Sequence, residues 1–144
     1  MTMNLIEQSP DPFSLFLEKL GKEKSFQTRF GEDITRFGIT GIPLLLITNL
    51  KRLGLNYSEF HFVCLILARR HTTQLPYFSL NKLTRDYGLS QDTLHRAKER
   101  LIKKGYLIIS EKRENCNGHG RNYYDISGLL KALNGIAQEK LSEN

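Results

Sequence analysis

A chain of 144 residues with 40% hydrophobic content is long enough to bury one core and too apolar to remain disordered. No run nears the ~20 apolar residues of a membrane span, and residues 1–11 carry neither a basic nor an apolar signal region. Cys64 and Cys116 stand in unlike contexts, which sets aside a disulfide framework and makes a reducing cytoplasm the expected location.

Pro12 opens a predicted short helix, 13–20, with Phe13, Phe16, Leu17 and Leu20 at helical spacing and Gly21 after it. Residues 21–33 read as a polar loop, and 35–42 allow a short strand through Phe37, Ile39 and Thr40. Pro43 suits the first turn of a helix running to Leu53, with Leu44, Leu45, Ile47, Leu50 and Leu53 apolar and Gly54 closing it. Asn56 and Glu59 have capping-box spacing before a helix of 57–70 that is apolar on nearly every side, the pattern of a central helix. Residues 71–76 form a loop, and Tyr77-Phe78 allow only a short strand.

Ser79 is a suitable N-cap for a helix 80–87, with Leu80, Leu83 and Tyr87 as its core contacts. Gly88-Leu89 makes a turn. Ser90 caps a second helix, 91–104, which Gly105 ends. The period then changes to alternation: strand 106–113 with Leu107 and Ile109 on one face, a polar tip at 114–120, and a return strand 121–126. Ser127 caps a last amphipathic helix, 128–141.

Capped helix, glycine turn, capped helix and hairpin, in that order, define a winged helix-turn-helix. The expected fold is mainly α with a small β-hairpin wing (α+β) and extra N- and C-terminal helices. A 1–34 extension precedes a 35–144 winged-helix domain, with the helix-turn-helix at 79–104 and the wing at 106–126. Net charge is +6, and the stretch from Ser79 to Tyr124 holds ten basic and five acidic residues, or +5 of it. Charge gathered on this motif points to double-stranded DNA.

The major groove accepts one α-helix. On a helical wheel Leu94, Ala97 and Leu101 face inward, while Asp92, Arg96, Glu99 and Lys103 face away. Candidate base readers are Gln91, Asp92, Thr93, His95 and Arg96, whose groups match base donors and acceptors. Candidate backbone contacts are Ser79, Lys82, Arg100, Lys103 and Lys104, with Lys112, Arg113, Asn117, His119 and Arg121 in the wing.

The stretches GIPLLLITNLKRLGLNYSEF (41–60), FSLNKLTRDYGLSQDTLHRAKERLIKKGYL (78–107) and YYDI (123–126) resemble the winged-helix domains of DnaD-like replication initiation proteins and replisome organisers of Gram-positive bacteria, phages and plasmids. Those proteins usually carry a second helical domain, and this chain stops at Asn144. The resemblance therefore implies a stand-alone domain on a mobile element, an origin-binding accessory protein of replication or conjugative transfer. It also implies that segments 12–20 and 128–141 assist oligomerisation as a homodimer, although packing on their own domain is the simpler role. A small repressor, or a winged helix recruiting a replisome or transfer protein, are the alternatives; Asp92 and Glu99 on the outward face favour the last.

Other chemistry finds little support. Cys116 and His119 have C-x-x-H spacing but lack the second pair a structural zinc site needs. No phosphate-binding P-loop sequence is present, and Glu32-Asp33 stand in a polar stretch without converging carboxylates. The expectation is a binding protein with no metal, no cofactor and no catalytic residue.

Overall fold

The structure, a computed structural model, describes residues 26–69, 75–112 and 121–143. The predicted helix 13–20 and the wing tip with Arg113, Asn117 and His119 lie outside these residues. The chain divides into two compact units, Met1–Ile39 and Thr40–Asn144.

In the first unit the expected loop is helical at 26–30 and again at Glu32–Thr35. The acid pair Glu32-Asp33 fills the first turn of the second piece, where carboxylates complement the helix dipole. Arg29 lies over the rings of Phe26 and Phe30, 4.8 and 5.2 Å from their centroids. The strand allowed at 35–42 is not formed: Thr35 ends a helix, and among the described residues no strand pairs with those after it.

The second unit begins with α1 (Leu44–Thr48) and α2 (Leu50–Leu53). A single helix was expected here. Asn49 interrupts it, leaving helical geometry at φ −125° while its Nδ2 donates to the Leu45 carbonyl at 2.8 Å. Asparagine competes for backbone partners in this way. Pro43 is the N-cap rather than the first helical residue. Leu46 and Leu53 are buried, whereas Leu44 and Ile47 are exposed.

The central helix α3 (Tyr57–Arg69) buries Phe62, Val63 and Ile66 completely. Its capping box is formed: the Glu59 N–H donates to Asn56 Oδ1 at 2.8 Å, and Glu59 Oε1 lies 3.5 Å from the Asn56 nitrogen. Burial raises the pKa of the half-buried Cys64 thiol.

Helices α4 (Leu80–Tyr87) and α5 (Gln91–Lys103) follow, joined by Gly88 in the left-handed region at φ 64°. Ser79 Oγ accepts from the Lys82 N–H and Ser90 Oγ from the Thr93 N–H. Ser90→Ala should cost about 1 kcal/mol, read from the urea midpoint. Leu80 and Leu83 enter the core, but Tyr87 stays exposed, its hydroxyl accepting from Arg69 Nη2 at 3.4 Å. A phenol at the last turn of a short helix reaches solvent more readily than the core.

Strands β1 (Ile108–Lys112) and β2 (Arg121–Asp125) pair antiparallel, with Ile109 opposite Tyr124 and Lys112 opposite Arg121. The expected Tyr77-Phe78 strand shrinks to one bridge, Tyr77 to Tyr123, beside a Tyr124 N–H donated to the Pro76 carbonyl at 2.9 Å. Phe78 stacks on Tyr124 at 4.0 Å between centroids. Burial pushes the Tyr124 phenol up to about 12. Helix α6 (Ser127–Ser142) returns Leu129, Leu133 and Ile136 to the same core. Ile126 is its N-cap, without a side-chain cap bond, and Ser127 is already the first helical residue, its N–H donated to Asp125 Oδ1 at 2.8 Å.

The result is mainly helical with a two-stranded hairpin, the α+β form expected of a winged helix.

Candidate nucleic-acid interface

Three elements build the face that a duplex would meet: the start of α4, the outer side of α5 and the hairpin. Leu94, Ala97 and Leu101 are 2%, 0% and 0% exposed, which fixes the rotation of α5 about its axis. Asp92, Thr93, Arg96, Glu99, Arg100 and Lys103 consequently point to solvent.

The candidate readers separate into two groups. Asp92, Thr93 and Arg96 are exposed in the first turns of α5. Gln91 is also exposed, but its Nε2 donates to Asn81 Oδ1 at 2.9 Å and ties the starts of α4 and α5 together. His95 is half-buried and turns toward a cavity between α4 and the hairpin. Ser79 is occupied as a cap, and Lys82 lies exposed beside it.

Lys104, expected among the backbone contacts, has partners within the protein: its ammonium forms an ion pair with the Glu59 carboxylate and donates to the Gly54 carbonyl. Glu59 is 1% exposed, so its charge needs this partner. The physical cause is position: Lys104 is the C-cap of α5, where the chain turns back beside the start of α3. Tyr106 strengthens the junction by donating its hydroxyl to the Leu53 carbonyl at 2.7 Å.

In the wing, the Arg121 guanidinium lies 4.6 Å from the centroid of the Tyr77 ring, and Tyr77 tilts against Tyr123 at 5.5 Å. The backbone of Lys112 pairs directly across from Arg121. Asn81, Tyr77, Arg69 and Lys98 escaped the sequence reading. Lys98 follows the seam residue Ala97 and lines the cavity between α4, α5 and the hairpin, whereas Arg69 ends a helix distant in sequence. Among the described residues no cluster of His, Cys, Asp and Glu could hold a metal ion, and no helix is long and apolar enough to cross a membrane.

Two capped helices around a left-handed glycine, followed by an antiparallel hairpin, define a winged helix-turn-helix. Residues 53–107 match the helix-turn-helix domain family. Over 102 residues, 70% of its length, the chain is 31% identical to the replicative helicase loading/DNA remodeling protein DnaD of Bacillus subtilis (strain 168). The match spans 43% of that protein, so the chain covers less than half the length of this relative. The domain is a winged helix-turn-helix that resembles the corresponding part of DnaD. The family match supports DNA binding.

Proposed function

We propose that the protein binds double-stranded DNA sequence-specifically, as an origin-binding accessory protein in replication initiation or conjugative transfer of a mobile element. The observation that carries this reading is the outer face of α5, where Asp92, Thr93 and Arg96 stand exposed on a helix held rigid by its buried seam. In this reading Arg96 and Thr93 read base edges, with Asp92 accepting from a cytosine amine. Arg100 and Lys103 meet phosphates further along the helix, while Lys82 and Arg121 grip the backbone from α4 and the wing. The protein acts in the cytoplasm as a binding module without catalysis, as a homodimer on its site.

The test is a fluorescence titration on a duplex that the protein itself selects from a random pool. Arg96→Ala should lose about 1–3 kcal/mol of discrimination at one base pair. Lys103→Ala should weaken all duplexes alike and flatten the salt dependence by about one phosphate contact. Equal, sequence-independent effects of both changes would remove the proposed division of roles.

Asp92 and Glu99 on the outward face favour a second reading, a winged helix that recruits a replisome or transfer protein. Capture of that partner would then survive the combined change Arg96→Ala and Arg121→Ala, which sharply weakens duplex binding under the first reading.

A further inference from the structure

A cavity of about 600 Å³ opens between the start of α4, the inner flank of α5 and the hairpin. Four cations line it, Arg69, Lys82, Lys98 and Arg121, and no Asp or Glu stands among its described lining residues. Arg69 and Lys98 have no place in the proposed duplex contacts. Lys98 is 19% exposed at its side chain, and its ammonium stands 3.7 Å from the carboxylate of Glu99, which is 69% exposed. A concave space lined by several cations raises the local concentration of anions.

The remaining lining is of another kind. Tyr77, Phe78, Leu80, Leu83, Ile109 and Tyr124 give it an apolar wall, and Ser79, Asn81, His95 and Asn122 add hydrogen-bonding groups. Tyr77 keeps about half of its surface open. An apolar wall with a few convergent polar groups, in a volume of several hundred Å³, is the form of a small-molecule site. Inorganic phosphate would use the cations and leave the wall bare. A duplex carries its phosphates on a convex ridge and cannot fill the space. A nucleotide uses both halves.

We propose that this cavity binds a free nucleotide, its phosphates among Arg69, Lys82 and Lys98 and its base against the Tyr77 side of the wall. Lys82 and Arg121 also belong to the proposed duplex contacts, so bound nucleotide competes with DNA and lowers its affinity.

The test is calorimetric titration of the full chain with ATP at low salt, without DNA. The expected result is saturable one-to-one binding, weakened at least tenfold by Lys98→Gln and by Arg69→Gln in proteins whose thermal melting is unchanged. Inorganic phosphate should bind at least tenfold more weakly than ATP. A parallel duplex titration should lose affinity as ATP is raised, while Lys98→Gln without ATP leaves duplex affinity within about twofold. Absence of saturable ATP binding, ATP binding indifferent to both substitutions, or phosphate as tight as ATP would each overturn the proposal. Loss of duplex affinity in Lys98→Gln without any ATP binding would assign these cations to a DNA phosphate and overturn it equally. Because the ATP arm contains no DNA, its failure is separate from failure of the duplex reading.

Discussion

Gly128→Ala should destabilise the protein by roughly 3 kcal/mol, a large loss for a single methyl group. A Cβ at this position would lie 2.1 Å from the Gly105 carbonyl oxygen, with the Gly105 carbonyl carbon at 3.2 Å and the Tyr106 Cα at 3.4 Å. These are backbone atoms and cannot rotate away. Gly105 itself is held at φ 77° by the turn that ends α5, so it has little freedom to retreat. Relief would require α6 to lift from the core and withdraw Leu129, which is fully buried one residue later. Gly135→Ala in the same helix is the control. Nothing lies within 4 Å of a Cβ there, and replacing a helical glycine with alanine should stabilise by about 0.5–1 kcal/mol. Urea unfolding of the two variants should move the midpoint in opposite directions. A Gly128→Ala midpoint equal to the parent would show that the two turns do not meet as described.

The second large effect is expected from Lys104→Met. Removing the ammonium leaves Glu59, 1% exposed, without its counter-charge. Loss of one partner of a buried pair costs several kcal/mol, because the other charge stays desolvated. Lys104 keeps about a third of its side chain in solvent, so water partly screens the pair and about 2–3 kcal/mol is expected. Combining Lys104→Met with Glu59→Gln should restore most of the loss, since a neutral amide still serves the capping geometry with Asn56. Duplex affinity, measured well below the unfolding midpoint, should change little. A selective loss of duplex binding with unchanged stability would return Lys104 to the DNA-contacting set.

The same lysine shows what the sequence could not reveal. Lys103 and Lys104 are adjacent, and the helix dipole favours both at the end of α5. Which one turns back depends on a carboxylate 45 positions earlier in the chain. The seam of α5, by contrast, was legible in full: Leu94, Ala97 and Leu101 repeat at helical spacing, and all three are buried. Ser79, Ser90 and Gly88 were equally legible, because caps and turns are local chemistry. The Leu44–Ile47 run was ambiguous for the opposite reason. Four apolar residues in succession allow several helix phases, and the break at Asn49 selects the one that buries Leu46. Ser127 has the chemistry of a cap, but the backbone path after β2 makes it the first helical residue and puts Ile126 at the cap. The cavity was the least legible feature. Its lining comes from five separate stretches, with Arg69 and Arg121 52 positions apart.

The most direct test of DNA docking is the salt dependence of affinity for the selected duplex. Each phosphate contact releases counterions and contributes about 0.9 to the slope of log affinity against log salt. With Lys82, Arg100, Lys103 and Arg121 as contacts, the expected slope is roughly −4 per protomer, together with clear preference over an unrelated duplex. A flat salt dependence, or no binding at low salt, would contradict the assignment of this winged helix to DNA.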